Sequence, residues 1–148
     1  MNVLFFLTPK SEVSYLRNDW TLRQAIEKLE RSGYTGIPMI DREGHYVGTV
    51  TEGDILWTLK KCYDMNLKAA ENISITSIER RLQTRAVSIN ASMEDLGQLA
   101  LNQNFVPVID DKEIFIGIVT RKDIIRFCYE RYVQRETESV ENSANSLT

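Results

Sequence analysis

The pattern of apolar and polar positions along this chain occurs twice. Two continuous apolar runs with a proline in second place, 37–41 and 106–110, are each followed by a polar turn and a further apolar strand. Pro38 and Pro107 are 69 positions apart, and Gly48 and Gly117 keep that spacing. Because an internal repeat fixes the architecture of a chain, the sequence predicts two copies of one supersecondary unit.

Each copy is predicted to run strand, helix, strand, strand, helix. Capping boxes mark the start of the first helix in each copy, and fully apolar runs indicate strands buried on both faces. The elements of the first copy are a strand at 13–16, a helix from Thr21 to Gly33, strands at 37–41 and 46–50, and a helix from about Thr51. Those of the second are a strand at 86–89, a helix after Ser92, strands at 106–110 and 114–119, and a final helix that carries Ile124 to Tyr132.

The fold class predicted from this order is α+β, with two β-α-β-β-α units packed as a pseudo-two-fold pair. Units of this size bury their apolar faces best against a twin. The predicted boundaries are a first repeat with its N-terminal lead-in at 1–65, a connector at 66–85, a second repeat at 86–134 and a tail at 135–148. The tail is rich in Ser, Asn, Glu and Thr, so the sequence predicts that it is disordered.

Composition narrows the class of protein. The chain has 148 residues, 43% of them hydrophobic, and a net charge of −3. These values give no general attraction to nucleic acid or to an anionic membrane, and neither is expected as a partner. Cys62 and Cys128 form no CxxC motif, which favours packed helix positions and a reduced, cytoplasmic location.

The repeated strands and the two Gly-x-x-Thr-x-x-Asp motifs that follow them resemble the CBS domain family, over roughly residues 5–133. A tandem pair of such domains is called a Bateman module. Within the family the chain is most similar to small stand-alone CBS-pair proteins of Gram-positive bacteria. The segments 33–38 and 115–121 are similar to those of members that bind cyclic di-AMP.

This resemblance implies clefts between the copies that bind an adenosine-type ligand such as AMP, ADP, ATP or cyclic di-AMP. It assigns the ribose to Asp54 and Asp123, and the sugar or phosphate to Thr51 and Thr120. Free N–H groups at a helix N-terminus suit phosphate. The positions that match the base contacts are Val13, Thr35, Ile37 and Pro38 in the first copy, and Ala86, Val87, Asn104, Val106 and Pro107 in the second.

The two copies differ between the Thr and the Asp of the motif. The second has Arg121 and Lys122 there, which can neutralise phosphate, whereas Glu52 in the first would repel it. The sequence therefore ranks the cleft of Thr120 and Asp123 first. Thr-x-x-Asp before an apolar run is also an ordinary capping box, so both roles stay open at these positions.

The function predicted is a regulatory module that senses an adenosine-type ligand and signals to an unidentified partner protein, as a homodimer. No catalytic residue, metal site or cofactor is expected, because the chain has a single histidine and none of the common catalytic motifs. The alternative is a protein-interaction adaptor whose clefts are vestigial and bind no nucleotide. Large aromatic residues on the second helices, among them Trp57, Phe127 and Tyr129, favour contacts with a partner.

Overall fold

The computed structural model describes residues 2–81 and 83–147. The first half contains, in chain order, β1 (Thr8–Pro9), β2 (Leu16–Arg17), α1 (Leu22–Ser32), β3 (Gly36–Ile40), β4 (Tyr46–Thr51) and α2 (Glu52–Cys62). The second half contains β5 (Val87–Ser88), α3 (Met93–Ala100), β6 (Phe105–Ile109), β7 (Phe115–Thr120) and α4 (Arg121–Ser146). The predicted α+β fold with two copies of β-α-β-β-α is confirmed.

Two sheets carry the repeats, and the N-terminus crosses from one to the other. The first sheet has the strand order β2-β3-β4, and the second has β1-β7-β6-β5. β1 pairs antiparallel with β7, with Pro9 opposite Gly117. Buried Val3, in the 3₁₀ turn Val3–Phe6, also packs in the core of the second repeat. The lead-in, which the sequence pattern assigns to the first repeat, therefore completes the sheet of the second.

Each repeat has its own apolar core, and a third cluster joins the two. The joining cluster consists of Val13, Ile40, Phe115 and Ile118. The first core includes residues from the segment predicted to be a connector, namely Ala70, Ile73, Ile75 and Ile78. This segment forms the 3₁₀ turns Leu67–Asn72 and Ile75–Ser77. Residues 67–78 are thus packed against the first repeat and are not a free linker.

The two predicted first strands are shorter than the apolar pattern suggested. β2 covers Leu16–Arg17, and the chain before it forms a 3₁₀ turn from Lys10 to Glu12 with Val13 as its C-cap. β5 covers only Val87–Ser88 of the predicted 86–89. Both strands pair parallel to a single neighbour at a sheet edge, so each needs only a few residues before its helix begins.

The prediction of a disordered tail differs most from the structure. α4 continues through Ser146, with Leu147 as its C-cap, and Thr148 lies outside the described residues. Once a helix has formed, each added residue gains a hydrogen bond without a new nucleation step. Thr137 Oγ1 donates back to the Val133 carbonyl (3.0 Å) within this extension.

Two further findings concern the helices. Cys62 and Cys128 are both exposed, so the expectation that they are packed helix residues is wrong. None of the helices in the described part of the chain is both long enough and apolar enough to cross a bilayer.

Candidate functional site

The Thr-x-x-Asp motif of the first repeat forms a complete capping box at the start of α2. Thr51 Oγ1 accepts a hydrogen bond from the Asp54 backbone N–H (3.1 Å), and Asp54 Oδ2 accepts one from the Thr51 N–H (3.0 Å). Each side chain thereby satisfies a backbone donor that the first helical turn leaves unpaired.

The second carboxylate oxygen of Asp54 is engaged as well. Asp54 Oδ1 accepts a hydrogen bond from the backbone N–H of Arg81 (2.9 Å), in the segment between the repeats. The residue is 2% exposed. With both oxygens held by backbone N–H groups, Asp54 fastens this segment to α2 and offers no free oxygen to a ribose.

The equivalent motif of the second repeat is open. Thr120 Oγ1 accepts from the Asp123 N–H (3.1 Å), so the threonine again caps the helix. The return bond of a capping box does not appear among the described contacts of Asp123. Its side chain is 34% exposed, and Oδ1 lies 3.6 Å from Arg126 Nη1. Asp123 therefore has carboxylate oxygens available to a ligand where Asp54 does not.

The larger of two clefts between the repeats lies beside Thr120. Its volume is about 360 Å³, within the range of small-molecule sites. The residues that line this larger cleft are Thr8, Gly33, Tyr34, Thr35, Gly36, Pro38, Asn104, Phe105, Ile118 and Thr120. They come from both repeats and from β1, so the cleft exists only because the repeats are paired.

A smaller cleft lies beside Thr51. Its volume is about 180 Å³. The residues that line it are Thr35, Gly36, Thr49, Thr51, Gln83, Thr84, Asn102, Gln103, Asn104 and Phe105. Residues 35–36 and 104–105 border both clefts, so the two are adjacent across the pseudo-two-fold axis. Part of this smaller cleft is bounded by the segment between the repeats, which Tyr46 also holds through a hydrogen bond to the Thr84 carbonyl (3.1 Å).

Of the residues predicted to bind a nucleotide, Thr35, Pro38, Asn104, Thr51 and Thr120 line one cleft or both. Asp123 lies in the first turn of α4 beside Thr120 and is not itself a lining residue.

The apolar residues predicted to touch the base are mostly buried. Ile37 and Val106 are 0% exposed and belong to the cores of the first and second repeat, and Val87 also lies in the second core. Val13 packs between the repeats, and Pro107 is buried opposite Ile118. Ala86 is half-buried and borders neither cleft. The side chains of the buried residues shape the strands beneath the clefts, so a ligand would meet backbone atoms there.

The two basic residues of the second motif lie in different surroundings. Arg121 Nε donates to the Ala100 carbonyl (2.7 Å), which satisfies an acceptor at the C-terminal end of α3. Lys122 is exposed on the outer side of the first turn. Arg121 is therefore partly committed to holding α3 and α4 together, and neither residue lines a cleft.

Thr8, Tyr34, Phe105 and Ile118 line the larger cleft and were missed from the sequence. Phe105 is a direct neighbour of Asn104 and Val106, and Tyr34 and Ile118 lie in the segments 33–38 and 115–121 that carry the resemblance to members that bind cyclic di-AMP. Thr8 reaches the cleft because β1 pairs with the second repeat, and no local pattern indicates that pairing.

A turn in the first hairpin brings together three potential metal ligands. Ligand atoms of Asp41, Glu43 and His45 lie within 4.8 Å of one another. Asp41 Oδ1 accepts from the Glu43 and His45 N–H groups, and Oδ2 lies 2.9 Å from His45 Nδ1. Desolvation acts to raise the pKa of Asp41, but the hydrogen bonds and charge of His45, together with the hydrogen bond from the Glu43 N–H, hold that pKa below its usual value. These hydrogen bonds are typical of an aspartate that begins a turn, and they account for the closeness of the three side chains.

The comparison with known families agrees with this architecture. The model of the CBS domain matches the chain twice, at residues 7–61 and 80–130. The chain belongs to the CBS domain family. The two matches correspond to the two repeats, and the second match begins at residue 80, next to Arg81, whose N–H donates to Asp54. Both clefts of this CBS pair are lined by residues of both domains.

Curated relatives of this CBS pair include longer proteins. An uncharacterized protein of Methanocaldococcus jannaschii is 25% identical over 96% of this chain and 49% of its own length. The chloroplastic CBS domain-containing protein CBSX2 of Arabidopsis thaliana is 27% identical over 90% of this chain and 65% of its own length. The chain thus spans half to two thirds of these relatives. Cyclic di-AMP receptor B of Bacillus subtilis is 22% identical, with 82% of each protein covered.

Solved structures show the same fold. The complex of CbpB with c-di-AMP superposes with a TM-score of 0.79 at 22% identity, covering 93% of this chain and 91% of the other. The complex of CBSX2 with AMP has a TM-score of 0.70 at 23% identity, covering 88% and 98%.

Proposed function

We propose that this CBS pair is a non-enzymatic regulatory module that binds an adenosine-type ligand in its larger cleft. The observation that carries the proposal is the cleft of about 360 Å³ built from both repeats beside an open Thr120 and Asp123. CBS-pair structures with the same fold have been solved with c-di-AMP and with AMP, which supports this class of ligand.

The roles proposed for the chain's residues follow from their chemistry. Asp123 accepts hydrogen bonds from the ribose hydroxyls, since a carboxylate makes the stronger, charge-assisted kind. The base lies between Tyr34 and Phe105, which come from different repeats and border the larger cleft. The N-terminus of α4, which is the positive end of the helix dipole, attracts phosphate at the cleft mouth.

Signalling would follow from the position of the cleft. A ligand that contacts both repeats favours the relative orientation that it fits, and it shifts that equilibrium only by its difference in affinity between states. We propose that a homodimer of this module presents the resulting surface to a regulated partner protein in the cytoplasm.

The test is thermal unfolding with AMP, ADP, ATP, cyclic di-AMP and S-adenosylmethionine, followed by calorimetric titration of any compound that stabilises. A ligand at 100 times its dissociation constant adds about 2.7 kcal/mol, a rise in Tm of several degrees. Asp123→Ala should abolish the shift, while Asp111→Ala, which removes an exposed turn carboxylate, should preserve it.

Binding that is unchanged in Asp123→Ala would refute the site assignment. A protein freed of any co-purified ligand that shows no shift with all five compounds would contradict the sensor function. Such a result would favour the adaptor alternative, in which the clefts are vestigial.

A further inference from the structure

The C-terminal part of α4 carries no buried residue. Every residue from Cys128 to Leu147 is exposed. The segment after Arg135 is rich in Ser, Asn and Thr, which are weak helix formers, and a short helix without tertiary contacts is marginal in water. A packing partner for this helix would supply the stability that its own composition lacks.

Exposed apolar residues form a single stripe along this helix. Its members are Ile125, Tyr129, Tyr132, Val133, Val140 and Leu147. At 3.6 residues per turn they fall within a sector of about 100°, the width of the buried face of a packed helix. We call this set the α4 stripe. It suits contact with another helix along its length.

The charges on the same face change sign along the helix. By the helical period, Lys122 and Arg126 lie on or beside the α4 stripe in its N-terminal half, and Glu136 lies within it in the C-terminal half. Over the whole helix, residues 121–135 hold five basic and two acidic residues, whereas 136–147 hold three acidic and no basic ones. Such a gradient is complementary to itself only when two copies run in opposite directions.

We propose that the α4 stripe packs antiparallel against the α4 stripe of a second copy. A two-fold axis near Arg131 sets Arg126 of one copy opposite Glu136 of the other, twice, and Tyr129 opposite Val133, twice. These are the layers that an antiparallel pair with heptad spacing forms. A parallel pair would instead set Glu136 against Glu136 and align the two helix dipoles unfavourably.

This inference rests on the homodimer in the proposed function and names its surface. Self-pairing explains both the helical state of residues 136–146 and the sign change on the stripe. An unrelated helix would have to reproduce that charge pattern, whereas a second copy of this chain already carries it.

The experiment is a charge exchange followed by sedimentation equilibrium. The full chain should sediment at twice its 17.1 kDa mass at micromolar concentration. Arg126→Glu and Glu136→Arg each turn two attractive pairs into repulsive ones, so each alone should weaken the dimer about tenfold or more. An equimolar mixture of the two variants should restore it, because each of these layers in the mixed dimer then pairs one carboxylate with one guanidinium. Glu141→Arg, the same charge change off the stripe, should leave the dimer unchanged.

The outcomes separate this inference from nucleotide binding. A wild-type chain that is monomeric at all concentrations, a dimer indifferent to both stripe variants, or a mixture that fails to re-form it would each overturn the antiparallel pairing. Circular dichroism of each variant checks that the repeats remain folded. The thermal shift with nucleotide is measured in parallel on the wild type and on Glu136→Arg, because residue 136 is more than three helical turns beyond Asp123, whereas Arg126 lies 3.6 Å from the Asp123 carboxylate. Loss of the shift with an intact dimer, or its survival in the dissociated variant, then reports on the larger cleft alone.

Discussion

The two Thr-x-x-Asp motifs have equivalent sequences and unlike surroundings. Asp54 has both oxygens bonded to backbone N–H groups and is 2% exposed, whereas the Asp123 side chain is 34% exposed and meets a single arginine at 3.6 Å. The difference arises from the neighbouring chain, since the segment at Arg81 supplies the N–H that closes Asp54. Both copies of the motif therefore cap a helix, and the chain segment that lies beside each copy decides whether that copy can also bind a ligand.

The two repeats also differ in what lies against their equivalent glycines, Gly48 and Gly117. Gly117 and Gly48 have φ of +156° and +157°, a region that residues with a side chain rarely adopt. A Cβ on Gly117 would collide with the Thr8 carbonyl of β1, and one on Gly48 would collide with the Arg80 guanidinium. The backbone of β1 covers the second repeat at the place where a flexible side chain covers the first.

The largest effect is expected from Asp54→Ala. This change removes the carboxylate half of the capping box, although Thr51 still accepts from the backbone N–H of residue 54. It leaves the N–H groups of Thr51 and Arg81 without their acceptor in a partly buried place. Loss of the two charge-assisted hydrogen bonds to this carboxylate should lower the free energy of unfolding by about 3 kcal/mol. Urea unfolding at neutral pH measures it. A loss below about 1 kcal/mol would show that the segment at Arg81 does not depend on Asp54.

The glycine pair should give the next largest effect. Gly117→Ala must displace the backbone of β1, so we expect a loss of about 2–3 kcal/mol. Gly48→Ala meets the same φ but displaces only a side chain, with an expected loss of about 1–2 kcal/mol. Denaturant unfolding of both variants gives the comparison. Equal losses would mean that β1 moves aside as easily as Arg80.

The sequence predicted most of the fold because the determining signals are local. Capping boxes at Thr21 and Ser92 and the alternation of apolar runs with polar turns placed the helix starts and the hairpins within one or two residues. The strand β2 was placed too early and β5 was predicted too long, because edge pairing of two residues leaves no pattern of its own. The extension of α4 was missed because composition indicates only how a segment behaves as an isolated chain, whereas residues 136–146 continue an existing helix.

The candidate site was predictable only in part, for a different reason. Threonines and aspartates at helix starts can be found from spacing, and Thr35, Asn104 and Thr120 do line the larger cleft. Asp54 is closed to a ligand because its carboxylate accepts a hydrogen bond from Arg81, which is 27 positions away in the sequence. The contribution of Thr8 depends on strand pairing across the molecule. Such long-range contacts are set by packing and are not encoded in any short segment.

The smallest effect on stability is expected from Asp123→Ala, the counterpart of the most damaging change. The Thr120 cap uses the backbone N–H of residue 123, which alanine retains, and the contact with Arg126 is an exposed pair of little energetic value. We expect the free energy of unfolding to change by about 0.5 kcal/mol or less, measured by urea unfolding without ligand beside Asp54→Ala. A loss as large as that of Asp54→Ala would mean that Asp123 holds the fold together. Unchanged stability alongside a loss of nucleotide binding would identify Asp123 as a ligand contact, because a purely structural residue cannot lose one without the other.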